Sequence, residues 1–227
     1  MNTILESNSS NMPPGSAPVR RVTDAPTRVF HLLFGLMFTL AYLTAESEHW
    51  RSVHVASGYT FAALLFFRVL YGWVGPKSLS LSALGRKIAL VPAWVRSLQN
   101  PMRTNWRQGQ NLVMALMVST IMMTTVPLTF SGYALFNELG PGWWLDALEE
   151  LHEFFSNLIL LGVVSHVAII VFMSLSRGQN MARPMWSGTI AGAGPDLVKA
   201  NRLWLAVALF LGALVFAIHQ WATNSVI

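Results

Sequence analysis

Four histidines stand out as candidates for chemistry: His31, His54, His152 and His166 lie within or at the edge of long apolar stretches. Ionisable groups in such stretches are rare and usually functional. The other two read more blandly, His49 as an exposed loop residue and His219 as an interfacial one. On a helix, His152 and His166 are separated by four turns less about 40°, so they share a face and stand about 21 Å apart along the axis. Zinc or copper asks for three or four protein ligands. Two facing imidazoles suit a haem better, since the porphyrin supplies four nitrogens and needs only axial ligands. Cysteine is absent, so disulfides, iron–sulfur clusters, thiolate metal sites and covalent c-type attachment are excluded.

The elements that must position these groups follow from hydropathy. Of 227 residues, 53% are hydrophobic and only 11% charged, against about 25% charged in a soluble domain. Five stretches approach the length of about 20 apolar residues that a bilayer crossing needs. They run over residues 29–45, 53–75, 112–136, 151–175 and 203–222. None carries the charged face of a soluble bundle helix. The expected fold is all-α: an integral membrane helical bundle with a four-helix di-haem core and a fifth, C-terminal transmembrane helix. Residues 1–23, rich in Ser, Asn and Pro, read as a flexible cytoplasmic tail with no removable signal peptide. The core domain is placed at 24–186, a Gly-rich cytoplasmic loop at 187–202 and the last span within 203–227. The basic stretch 76–107 reads as partly helical and lying on the membrane surface.

Charge gives the orientation. Thirteen of the 15 Lys and Arg residues fall before the first span, between the second and third, or between the fourth and fifth. The opposite side has Arg51 against Glu46, Glu48, Glu138, Asp146, Glu149 and Glu150. Basic loops stay inside, so the N-terminus is expected in the cytoplasm and the C-terminus in the periplasm. The net charge of +5 is thereby a feature of topology and of contact with anionic lipid, not of nucleic-acid binding.

Depth then pairs the histidines. His31 enters at the cytoplasmic end of the first span and meets the level of His166. His54 enters at the outer end of the second and meets the level of His152. One turn from each, toward the membrane centre, stands a small residue: Gly35, Gly58, Ser156 and Gly162. Small neighbours leave room for a porphyrin face, and they also serve plain helix packing. Arg68, about four turns beyond His54, shares its face and reaches the level of the His31–His166 pair. It reads as a partner for haem propionates, with snorkelling to headgroups as the alternative.

At this point the residues resemble the bacterial di-haem cytochrome b561 family, related to the cytochrome b subunit of Ni,Fe-hydrogenases. The likeness lies in Asp24-Ala25-Pro26-Thr27-Arg28-Val29-Phe30-His31, in His54-Val55-Ala56-Ser57-Gly58-Tyr59 with Phe67-Arg68 and Gly72, and in Leu151-His152-Glu153, Asn157 and Ser165-His166-Val167. It covers about residues 22–186. Gly109-Gln110-Asn111-Leu112 stands where many members have Gly-His-Asn-Pro. The resemblance implies two non-covalent b haems on the four histidines in the pairs just given. It also implies electron transfer with a quinone, and it allows a stand-alone superoxide:quinone oxidoreductase. Bis-histidine sites leave no open iron position, which favours electron transfer between a quinone pool and a periplasmic or membrane redox protein. A non-redox scaffold or sensor is the remaining reading. Trp143 and Trp144 with Asp146, Glu149 and Glu150 suit a docking surface, though Trp belts and outer acids arise by default.

Overall fold

A computed structural model describes residues 18–225. Its five long helices are each long and apolar enough to cross a membrane. They are α1 (Ala25–Thr44), α2 (Arg51–Val74), α5 (Trp106–Phe136), α6 (Gly142–Arg177) and α8 (Leu203–Asn224). Short helices α3 (Leu81–Ala89), α4 (Val91–Ser97) and α7 (Arg183–Ser187) join them. Local chemistry sets the boundaries. Asp24 caps α1, its Oδ1 accepting from the Thr27 amide at 3.3 Å. Asn105 caps α5 in the same way through Gln108 at 3.0 Å. Gly178 closes α6 in the left-handed conformation, φ 61°, which a glycine adopts without the Cβ penalty. The α6 helix is 36 residues long, about 54 Å and well beyond the bilayer core. Hydropathy marks only its membrane part, so the start at Gly142 lies earlier than the apolar run at 151–175.

The first four spans form two pairs. Helix α1 packs along α2, and α5 along α6; α2 also touches α5, while α6 makes no comparable backbone approach to α1 or α2. That leaves α6 joined to the α1–α2 pair chiefly through side chains. Near the middle of the bundle Phe38, Phe61, Leu128 and Ile159, one from each helix, form a buried cluster. The last span covers the other side of the α1–α2 pair. Its Leu209 and Ala213 pack against Phe30, Leu33 and Leu64.

The basic surface segment resolves into α3 and α4, started by Ser80, whose hydroxyl accepts from the Ala83 amide at 3.1 Å, and by Pro92 in the first turn of α4. Residues 1–17 of the expected tail lie outside the described residues. The remainder of that stretch is not loose: β1 (Val19–Arg21) pairs antiparallel with β2 (Thr189–Ala191), which lies within the segment expected to be a loop. Backbone amides of Val22 and Thr23 donate to the Gly188 carbonyl, and the Leu197 amide donates to that of Arg21. Two segments from opposite ends of the chain satisfy each other's backbone here, a pairing that no local pattern announces.

Candidate functional site

The chain direction places His31 and His166 toward the end of the bundle that carries the basic segments, and His54 and His152 toward the acidic end. The ring centroids of His31 and His166 are 6.2 Å apart, tilted by 47°. Those of His54 and His152 are also 6.2 Å apart, at 68°. Two imidazoles at this separation would be able to hold one haem iron between them. Among the described residues no cluster of three or more His, Cys, Asp or Glu side chains is present.

The small residues divide. A Cβ added at Gly35 or Gly58 meets nothing within 4 Å, so both lie against open space on the face one turn from His31 or His54. A Cβ at Gly162 would come within 3.0 Å of Ile121 Cγ1. Gly162 thus lies against α5, where it admits close helix packing. The Ser156 hydroxyl donates to the Glu153 carbonyl of its own helix at 2.8 Å. Arg68 donates from one terminal nitrogen to the Leu79 carbonyl at 2.8 Å. One turn away, a Cβ on Gly72 would collide with Leu81 Cγ at 2.5 Å. Arg68 and Gly72 together seat the start of α3 against α2.

Sequence reasoning missed the groups that orient the acidic-end histidines. His54 Nδ1 lies 2.8 Å from the Ala41 carbonyl oxygen, in the last turn of α1. His152 Nδ1 lies 3.1 Å from the Leu128 carbonyl oxygen and 3.2 Å from Ser131 Oγ. A Cβ on Gly132 would stand 2.8 Å from His152 Cε1, so α5 approaches the imidazole where it has no side chain. The one available signal was the Ser131-Gly132 pair, small residues inside an apolar helix.

At the basic end a polar network joins three spans. Asp24 is fully buried. Its Oδ2 accepts from the Tyr71 hydroxyl of α2 and lies 3.9 Å from Arg202 Nη1 at the start of α8. Arg202 also donates to the Tyr71 oxygen at 3.0 Å, a bond that raises the guanidinium pKa above its ordinary value. Arg202 adopts left-handed backbone, φ 44°, unusual for a residue with a side chain and held here by these partners. Arg28 reaches the Trp186 carbonyl and Asn201 Oδ1. The first two members of the Asp24…Arg28…His31 motif therefore anchor the entry of α1 to the segment leading into α8. Gln110 accepts from Nε and Nη2 of Arg177.

No curated protein and no solved structure matches this chain. The family model of prokaryotic cytochrome b561 matches residues 22–188, which include all four spans of the two helix pairs and both histidine pairs. With that match added to five apolar helices, the chain belongs to the prokaryotic cytochrome b561 family, b-type haem proteins of membrane electron transfer.

Proposed function

We propose that His31 with His166 and His54 with His152 each ligate one b haem, and that the protein carries electrons across a bacterial cytoplasmic membrane. The electrons pass between a quinone pool and a periplasmic or membrane redox protein. One observation carries this reading: two histidine pairs at opposite ends of one bundle, both with centroids 6.2 Å apart. When bound, haem would supply one-electron iron chemistry. The chain's own residues do the rest. The four histidines would hold the iron, and the open faces at Gly35 and Gly58 would leave room beside it. Between the two levels, the buried Phe38, Phe61, Leu128 and Ile159 exclude water, with Phe34 stacked on Phe61 at 4.0 Å.

The basic end is placed in the cytoplasm because Lys and Arg near span ends are retained there. Stand-alone oxidation of superoxide fits less well. The acidic end presents Glu46, Glu48, Glu138, Asp146, Glu149 and Glu150 around the single cation Arg51, a field that repels an anion. It suits a cationic redox protein instead.

Pyridine haemochrome analysis of purified protein is expected to give a b-type spectrum and a stoichiometry near two. A value near zero in haem-replete cells overturns the reading, and copurification with a redox protein separates the subunit from the stand-alone enzyme.

A further inference from the structure

An axial imidazole binds iron through one nitrogen and keeps a proton on the other. An acceptor for that proton pushes electron density onto the ring and through it to the metal, which favours ferric over ferrous iron. The two histidine levels differ in this respect. At the acidic end both rings have an acceptor. His54 Nδ1 faces the Ala41 carbonyl at 2.8 Å. Ala41 belongs to the last turn of α1, and its carbonyl also accepts from the Thr44 hydroxyl at 3.3 Å. His152 Nδ1 faces the Leu128 carbonyl at 3.1 Å and Ser131 Oγ at 3.2 Å. At the basic end the buried Nδ1 of His166 has no hydrogen-bond partner among the described residues.

Ser131 is fully buried, so its hydrogen bonds are all with protein. Its hydroxyl donates to the Leu128 carbonyl at 3.0 Å, which leaves its lone pairs to accept from His152 Nδ1–H. Gly132 makes the approach possible, because a Cβ there would stand 3.1 Å from that nitrogen.

Resting on the haem sites proposed above, we infer that Ser131 is a positioning residue which, with the carbonyls of Leu128 and Ala41, makes the acidic-end haem the lower in potential. An electron held by the protein would then move downhill from the level of His54 and His152 to the level of His31 and His166. Both Nδ1 protons stay where they are.

The test is spectroelectrochemistry of the purified holoprotein, with His31→Ala used to isolate the acidic-end haem. Wild type is expected to show two midpoints, the lower one matching the haem that survives in His31→Ala. Ser131→Ala is expected to shift that midpoint upward and leave the other in place. Ser131→Thr, which keeps the hydroxyl, is expected to return it toward the wild-type value. Two bound haems with both midpoints unmoved in Ser131→Ala, with both moved equally, or with the higher midpoint in His31→Ala, overturn this inference while leaving the haem sites standing. Protein without haem overturns both.

Discussion

The two ends of the bundle hold their histidines by different means. At the acidic end each ring is bonded to a neighbouring helix, His54 to α1 and His152 to α5. At the basic end the polar groups bond to one another: Asp24, Tyr71 and Arg202 lock α1, α2 and α8 together, and Arg28 reaches the segment before α8. The His31–His166 rings are placed by the helices that carry them. One end thus fixes its histidines directly and the other fixes the frame. A buried carboxylate such as Asp24 must be paired, and pairing it across three elements stabilises the arrangement that sets the histidine spacing.

Substitutions test that contrast. The largest effect is expected from the ligands themselves. His152→Ala and His54→Ala each lower haem content from about two to about one per chain and erase the same spectral component. His31→Ala and His166→Ala erase the other. If His31→Ala and His152→Ala remove the same component, the division into two ends is wrong.

Next comes the frame. Asp24→Ala leaves Arg202 and Tyr71 without their shared acceptor and removes the cap of α1. A loss of about 3 kcal/mol is expected, read by thermal unfolding in detergent, with faster proteolysis between residues 187 and 202. An unchanged melting curve would show that the network does not hold α8.

Gly132→Ala forces His152 or α5 aside. A cost of about 1–3 kcal/mol is expected from overpacking, together with preferential loss of the acidic-end haem on heating. Equal loss at both ends would mean that α5 does not position His152.

The smallest effect concerns Arg68, whose charge would favour the ferrous form of a haem held by His31 and His166. Arg68→Leu is expected to lower the basic-end midpoint by about 60 mV, one decade in a one-electron equilibrium, while sparing the other haem. Arg68→Lys keeps the charge but loses the planar fork, and so separates the charge from the geometry of the Leu79 contact. Two unmoved midpoints in both variants would leave Arg68 only its role in seating α3.

Much was legible in the sequence because a bilayer imposes its own ruler. Spans must be long and apolar, basic loops gather on one side, and the constant helical rise converts sequence position into depth. The histidine levels follow from these constraints, as does the use of α8 as a fifth span. The same arithmetic fails sideways. It gives the face of Gly162 relative to His166, but not that Ile121 of α5 lies against it. It marks Asp24 as the opening of a motif, but not its partners, Tyr71 on α2 and Arg202 at the start of α8.

The sequence by itself determined the number of spans, the segregation of charge and the depth of each histidine, because these depend on one helix and the membrane alone. Only the tertiary structure decided which helices pair, which carbonyls face His54 and His152, and how β1 meets β2. Those depend on the lateral placement of one helix against another. Helical periodicity fixes the face a residue presents but is silent on what stands opposite it.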